Sequence, residues 1–249
     1  MPWRIIKYLT HLFHLRHRKG HGIHSPYVFE FIHRAVFHAE KQGIPTMVRL
    51  EHRRLKKDRG PGGGEGRTIR SFILHASVSE KKGALLHRIA RWFQPEMMVE
   101  LGTGLGISSL YLATGSPGTP LHTIEGNTER ATFAAHLVSR CQLGPVSIHW
   151  GDMQEKLDEI LPLMPGRFLA YVDGNHHFEP TLNYVRLLME RAGEEAVIVL
   201  DDIYWSRGMY RAWREISGWP EVRVSIDLYE VGILLLRKDL NKAQMKIKF

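Results

Sequence analysis

The 249 residues fit one large domain or one domain with an appendage, since domains typically run to about 100 to 200 residues. The composition is globular, 43% hydrophobic and 24% charged, and no stretch reaches the roughly 20 apolar residues of a membrane-spanning helix. We therefore expect no integral membrane protein. The single cysteine, Cys141, cannot form an internal disulfide, and no secretory signal follows the N-terminus, so a cytoplasmic chain is predicted.

The net charge of +8 is concentrated near the N-terminus. Residues 1–58 contain 12 Lys and Arg against 4 Asp and Glu, whereas residues 59–249 contain 22 against 22. Eight of the 15 histidines also fall within residues 1–58. This asymmetry favours an anionic partner, such as RNA, lipid headgroups or a phosphorylated or carboxylated substrate, although a solvated basic face explains it equally well.

The N-terminal segment is predicted to be helical. Met1 to Lys19 has apolar residues at helical spacing among Arg and Lys, which is typical of a basic amphipathic helix. Such a helix can lie on a membrane surface, but it more often packs on its own domain or on a second subunit. A second helix is predicted over Val28 to Gln42. Residues 1–58 thus form an extension, and the Gly-rich residues 59–76 a mobile loop or linker.

Residues 77–249 alternate short apolar runs with helix-period segments. Five runs indicate buried strands: Met97 to Leu101, Leu121 to Ile124, Val146 to Trp150, Phe168 to Val172 and Ala196 to Leu200. Buried strands separated by helices indicate a parallel sheet covered on both faces. After a helix near Met209 to Ile216, the segments Glu221 to Leu228 and Glu230 to Arg237 are too close for a crossover and are predicted antiparallel. The predicted fold class is α/β, a doubly wound, mostly parallel seven-stranded Rossmann-like sheet with an antiparallel final pair.

The first predicted strand ends in E-L-G-T-G-L-G, residues 100–106, and runs directly into a helix. Glycines let the backbone approach a ligand, and the helix N-terminus offers unpaired N–H groups. The spacing is not the G-x-G-x-x-G that binds a dinucleotide pyrophosphate. Glu100, two residues before the first glycine, would repel a diphosphate but attract an ammonium group.

Two more acids follow the next two strands. Glu125 ends the second strand, 21 residues after Gly104, where a carboxylate accepts hydrogen bonds from a ribose diol. Asp152 follows the third strand, within reach of the exocyclic amine of a purine. A cation, a ribose and an adenine together describe S-adenosylmethionine better than NAD.

In these motifs the sequence resembles the class I S-adenosylmethionine-dependent methyltransferases over about residues 78–238. The resemblance implies that Glu125 binds the cofactor's ribose and Asp152 its adenine. It also implies a set of residues along the methionine part of the cofactor: Glu100, Gly102, Thr103, Gly104 and Gly106.

The fourth and fifth predicted strands end in acidic residues, Asp173 and the pair Asp201-Asp202. Such carboxylates would repel one another unless a cation or a proton intervened, and Mg²⁺ prefers oxygen ligands. The sequence resembles here the metal-dependent O-methyltransferases of the catechol and macrolide-sugar types. The residues that match the macrolide-sugar pattern are Asp173, His176, Asp201 and Asp202, although Asp202 departs from the Asn of the catechol type. H-G-I-H-S-P at 21–26 and D-G-N-H at 173–176 further resemble a bacterial subgroup of this fold.

The resemblance implies O-methylation of a small-molecule hydroxyl. A divalent metal bound by Asp173, Asp201 and Asp202 would lower the pKa of the acceptor hydroxyl, and His176 would take its proton beside Asp173. Acids at these strand ends also occur in metal-free methyltransferases, and His177 competes with His176 as the base. Two other functions stay open: a tRNA or rRNA methyltransferase that uses the basic segment, and a non-catalytic S-adenosylmethionine-binding protein.

The role of the N-terminal segment is open between a lid, with His24, Tyr27 and Phe31 facing the substrate, and the arm of a homodimer. A zinc site at His21 and His24 is disfavoured because no further close ligand completes it. Three aromatic residues are predicted to form either a wall for the acceptor or part of the core: Tyr204, Trp205 and Trp213.

Overall fold

The computed structural model describes residues 2–13, 25–37 and 43–249. The chain divides into two compact units, one formed by Met1–His38 with Met164–Phe249 and the other by Ala39–Leu163. The predicted division into an extension (residues 1–58), a loop or linker (59–76) and a catalytic domain (77–249) stays a prediction.

The described residues form ten α-helices. They are α1 (Pro2–Phe13), α2 (Pro26–Phe31), α3 (Thr46–Leu55), α4 (Ile69–His75), α5 (Glu80–Phe93), α6 (Ile107–Gly115), α7 (Thr128–Arg140), α8 (Met153–Ile160), α9 (Phe178–Arg191) and α10 (Arg207–Ile216). Helix α2 continues as a π-helical stretch over Ile32–Phe37, and a short 3₁₀ turn, Leu161–Leu163, follows α8. The second half of the predicted first helix and the end of the second lie outside the described residues.

Eight strands form one sheet in the order β3-β2-β1-β4-β5-β7-β6-β8. They are β1 (Met97–Leu101), β2 (Leu121–Glu125), β3 (Val146–Trp150), β4 (Phe168–Val172), β5 (Val197–Asp201), β6 (Val224–Asp227), β7 (Val231–Leu235) and β8 (Ala243–Lys246). The predicted α/β class and the antiparallel pair are confirmed, since β7 runs antiparallel to both β5 and β6. The predicted number of strands is wrong by one, because β8 adds to the sheet edge, parallel to β6.

Every residue of β1, β4 and β5 is buried. This pattern is typical of parallel strands covered by helices on both faces, and it explains why their sequences are continuously apolar rather than alternating. Two helices of this part of the chain begin at side-chain caps: Ser79 accepts from the N–H of Lys82 at 3.2 Å before α5, and Asn127 accepts from the N–H of Arg130 at 3.0 Å before α7.

Helix α1 packs on the C-terminal part of its own unit. The hydroxyl of Tyr229 donates to the backbone oxygen of Arg4 at 2.7 Å. The buried His11 lies 3.4 Å from the backbone oxygen of Ile247 and 3.4 Å from a carboxylate oxygen of Asp227. None of the helices in the part of the chain that the structure describes has the length and apolarity to cross a bilayer.

The Gly-rich segment that the sequence predicts as a mobile loop or linker is hydrogen-bonded. Pro61 and Thr68 form an antiparallel bridge, and Gly63 donates its N–H to Arg67 O at 3.1 Å. Gly62, Gly64 and Gly66 adopt positive φ, which lets the chain reverse tightly here. Helix α4 follows immediately, so residues 60–75 form a hairpin and a helix.

Candidate functional site

The glycine loop after β1 is a tight turn into α6. Gly102, Gly104 and Gly106 have φ values of 103°, 55° and 85°, in the left-handed region that favours glycine. The N–H groups of Gly102 and Thr103 both donate to Ile124 O at 3.0 Å, which fixes the start of the loop against β2. Gly106 is the N-cap of α6, so the loop leads directly to the free N–H groups of a helix N-terminus.

Glu100, on β1, is wholly buried beneath this loop. Its Oε2 accepts from the hydroxyl of Thr123 at 2.6 Å and from that of Ser109, whereas its Oε1 is buried without a hydrogen-bond partner. Burial raises the pKa of Glu100 to about 7, although the neighbouring hydroxyls lower it. A buried carboxylate with an unpartnered oxygen suits a cationic ligand group nearby.

Glu125, at the carboxyl end of β2, is buried and fixed by several donors. The N–H of Gly104 donates to Oε2 at 2.8 Å, while the N–H of Asn127 and Nε of Arg130 donate to Oε1, each at 2.9 Å. Because most of these donors act on Oε1, Oε2 keeps acceptor capacity for a further hydroxyl.

Asp152, after β3, caps helix α8. Its Oδ1 accepts from the N–H of Gln154 at 2.8 Å and from that of Glu155 at 3.2 Å. The residue is exposed, and its other oxygen is available to a ligand. All three predicted acids therefore lie at or near the carboxyl ends of β1, β2 and β3, while their ligand roles stay predictions.

The other unit carries Asp173 and His176 after β4. His176 Nε2 lies 3.5 Å from Asp173 Oδ1, and the hydroxyl of Tyr171 donates to Asp173 Oδ2 at 3.2 Å. His176 Nδ1 is buried without a hydrogen-bond partner. His177, the competing candidate, is an exposed residue that serves as the N-cap of α9. The structure thus pairs Asp173 with His176.

Asp201 is the last residue of β5 and is buried, and Asp202 follows it with a φ of 51°. Asp202 begins a tight turn in which its backbone oxygen accepts from the N–H of Trp205 at 2.7 Å. Across residues 2–13, 25–37 and 43–249, no group of three or more His, Cys, Asp or Glu is arranged to bind a metal ion. The metal role of Asp173, Asp201 and Asp202 stays a prediction.

Comparison with known proteins points to a methyltransferase domain. Residues 99–203 match a family model described as a methyltransferase domain. The O-methyltransferase TomG from Streptomyces achromogenes, solved with S-adenosylmethionine, is 26% identical, with 65% of this chain and 81% of that chain covered and a TM-score of 0.55. The family match and this similarity support a class I S-adenosylmethionine-dependent methyltransferase.

Two solved structures of lower identity show the same fold as this methyltransferase. The O-methyltransferase from Bacillus cereus, solved with S-adenosylhomocysteine, is 18% identical over 85% of this chain and 97% of that one, with a TM-score of 0.61. The methyltransferase PaMTH1 from Podospora anserina, also bound to S-adenosylhomocysteine, is 16% identical over 79% and 90%, with a TM-score of 0.62.

The sequence did not identify two residues beside the methyltransferase's glycine loop. An added Cβ on Gly104 would meet the Phe72 ring at 3.0 Å, so α4 packs directly on the loop. The Arg130 guanidinium lies over the same ring, 5.4 Å from its centroid, and also pairs with Glu125. The glycines at 62–64, which precede α4, are the sequence feature that could have indicated close packing around Phe72.

The structure differs from the predicted lid. Phe31 is fully buried, and the hydroxyl of Tyr27 donates to Glu195, which also pairs with Arg167. Arg167 precedes β4 and Glu195 precedes β5, so Tyr27 lies at the amino ends of these strands, opposite to Asp173. Tyr27 and Phe31 therefore do not face an acceptor there. His21 and His24 lie outside the described residues.

The three aromatic residues after β5 divide between core and surface. Tyr204 and Trp213 are buried, and the hydroxyl of Tyr204 donates to Asp227 at 2.8 Å. Trp205 is exposed. Of these three, only Trp205 keeps about half of its surface exposed, so Tyr204 and Trp213 belong to the core.

Proposed function

We propose that the chain transfers the methyl group of S-adenosylmethionine to a hydroxyl oxygen of a small molecule. The observation that carries this proposal is the pairing of His176 with Asp173 at the carboxyl end of β4. In open parallel sheets, ligands bind outside the carboxyl ends of the strands. TomG, the O-methyltransferase involved in tomaymycin synthesis, is similar in sequence and gives support for an oxygen acceptor.

The cofactor supplies an electrophilic methyl group on a sulfonium. Three features of this chain fit it: the glycine loop, the unpartnered Oε1 of Glu100, and Oε2 of Glu125. In this proposal Glu100 faces the positive charge of the methionine part, Glu125 accepts from the ribose, and Asp152 binds the adenine amine.

His176 acts as the base in this proposal. With Nε2 turned toward Asp173, the lone pair of Nδ1 is the one that takes the hydroxyl proton. Asp173 favours that orientation and stabilises the imidazolium that forms, and Tyr171 in turn fixes the Asp173 carboxylate. The deprotonated oxygen then attacks the methyl carbon.

The proposed function does not include a divalent metal, because the described residues do not form a metal site in this structure. No group of three candidate ligands is assembled among them. No step above is therefore routed through a metal. Dialysis against a chelator, followed by assay with and without added Mg²⁺, decides the point: loss and recovery of turnover would show that a metal assists the transfer and would keep Asp173, Asp201 and Asp202 as its candidate ligands.

The test of the proposed function is methyl transfer from labelled S-adenosylmethionine to a panel of phenolic, catecholic and sugar hydroxyls. We expect His176→Gln to lower kcat by about 100-fold or more, with little change in S-adenosylhomocysteine affinity. His177→Gln is the matched control, because it changes the exposed neighbouring histidine. Equal losses in the two variants, or none, would contradict the assignment.

RNA is the second candidate acceptor, supported by the excess of 12 cationic over 4 anionic residues in positions 1–58. Such binding would weaken steeply and log-linearly with salt. Methylation of tRNA with that salt dependence would favour this candidate over a small molecule. The one cysteine, Cys141, is buried and unpaired, which is compatible with the reducing cytoplasm that we propose.

A further inference from the structure

Helix α1 and the turn after β5 together present large apolar side chains to solvent. Ile5 is 60% exposed, Tyr8 44% and Trp205 52%. Isolated exposed apolar residues are normal on protein surfaces, but neighbouring ones mark interaction sites. We call these three residues, with Arg4 and Lys7, the α1 patch.

The residues of the α1 patch are neighbours in space. The Arg4 guanidinium lies over the Trp205 ring, 5.0 Å from its centroid. Tyr8 is one helical turn from Arg4, and its ring meets that of Tyr229 edge-on at a centroid distance of 5.0 Å. Lys7 lies over the Tyr210 ring at 4.3 Å.

The α1 patch is held in place, because α1 is anchored through the same side of the helix, where His11 follows Lys7 and Tyr8 by one turn. His11 is buried between Asp227 and the backbone of Ile247, and Tyr229 donates to Arg4 O. Tyr229 also donates its N–H to Asp227 at 2.9 Å, so the anchor and the patch share a residue. Ile5, Tyr8 and Trp205 thus lie at the border of the packed side of α1, where each keeps a large part of its surface exposed.

The charge on this face is positive. Helix α1 has the sequence PWRIIKYLTHLF, with Arg4 and Lys7 and no acidic residue. Trp and Tyr rings, an aliphatic side chain and flanking cations are the composition that prefers the boundary between lipid headgroups and acyl chains.

We propose that the α1 patch docks the protein on an anionic lipid surface. Ile5, Tyr8 and Trp205 insert at the depth of the headgroups, and Arg4 and Lys7 pair with lipid phosphates. Since α1 has 12 residues, it lies in the plane of the surface rather than crossing it. The inference holds whichever acceptor the methyltransferase uses.

The test is flotation of the full-length protein with vesicles of phosphatidylcholine, alone or with about 30% phosphatidylglycerol. We expect partitioning at least about 10-fold stronger to the anionic vesicles, and a several-fold loss when salt is raised from about 0.1 to 0.5 M. Equal partitioning to both vesicle types, or none to either, overturns the proposal. So does salt-sensitive binding to tRNA by a chain that ignores the vesicles, since the basic segment would then serve a nucleic acid.

Matched variants assign the binding to the α1 patch. Ile5→Asp is compared with Leu163→Asp, since both residues are 60% exposed. Trp205→Ser is compared with Trp150→Ser, at 52% and 58% exposure. Each patch variant should lower partitioning about 5-fold or more while its control leaves it unchanged. Circular dichroism checks folding, and a control as damaging as its patch variant would exclude the α1 patch as the binding surface.

Discussion

Gly104 donates its backbone N–H to the carboxylate of Glu125 over 2.8 Å. The glycine loop and the acid after β2, two predicted parts of the cofactor site, are therefore mechanically joined before any ligand arrives. Glu125→Gln keeps the size of the side chain but removes the charge that Arg130 and the two N–H groups share. We expect S-adenosylhomocysteine to bind about 10- to 100-fold more weakly by titration calorimetry.

The matched control is Glu129→Gln, an exposed acid in the first turn of the same helix α7. It changes the net charge equally but touches neither the loop nor Glu125. Equal weakening by both variants would show that charge, rather than the Glu125 contacts, governs affinity.

A methyl group at Gly104 should damage the cofactor site. Gly104→Ala would place a Cβ 3.0 Å from the Phe72 ring at a φ of 55°. Gly118→Ala, at a φ of 84° with no atom within 4 Å, has the same backbone strain without the contact. Both should lower the free energy of unfolding by about 1 kcal/mol, but only Gly104→Ala should weaken cofactor binding by about 10-fold or more. Equal cofactor-binding constants in the two variants would show that the Phe72 ring moves aside without affecting the cofactor site, contrary to the prediction.

The Tyr27→Phe variant tests whether Tyr27 anchors the N-terminal segment or belongs to a lid over the substrate. The variant loses the hydrogen bond to the Glu195 carboxylate, which should cost about 1.5 to 3 kcal/mol in a denaturant titration. Because Tyr27 lies at the amino ends of β4 and β5, kcat of the folded enzyme should not change. A drop in kcat without a loss of stability would restore the lid.

Two buried histidines should make the protein sensitive to acid. Burial lowers the pKa of His52 to about 4 and that of His87 to about 4. Between about pH 6.5 and 4 the unfolded chain binds protons that the folded chain does not, so stability is full above pH 6.5 and falls as the pH drops. Each histidine should cost up to about 3 kcal/mol near pH 4.

Unfolding titrations across this pH range test the point. His52→Gln, which can still accept from Tyr111, should show a shallower loss of stability than the wild type. His75→Gln, a change at an exposed histidine, is the control and should leave the pH dependence of the free energy of unfolding unchanged. A wild-type stability that stays flat from pH 6.5 to 4 would contradict the role of both buried histidines.

The central strands of the sheet could be predicted because strands that are buried on both faces have continuously apolar sequences. Strands β1 and β4 begin and end where their apolar runs do, and the acids that follow the strands lie at the expected edge. Strand β3 also has the predicted bounds, but none of its residues is buried, so its prediction as a buried strand is wrong. The glycine loop could also be predicted, since three of its five residues adopt a left-handed backbone conformation that favours glycine. Local rules govern these elements.

Other elements depend on contacts that a pattern does not record. Strand β8 has a single buried residue, Met245, and pairs only at the sheet edge. The buried side of α3 includes His52 between Val48 and Leu55, so its apolar stripe is interrupted. The partner of Tyr27 is 168 positions away. Spacing cannot supply such a distant pairing.

Glu100 also has a consequence for calorimetry. A carboxyl group with a pKa of about 7 is only partly ionised in neutral buffer, and a ligand that brings positive charge beside it would complete the ionisation. The released proton would be taken up by the buffer, so the observed enthalpy would change between phosphate and Tris while the affinity, at fixed pH, stayed the same.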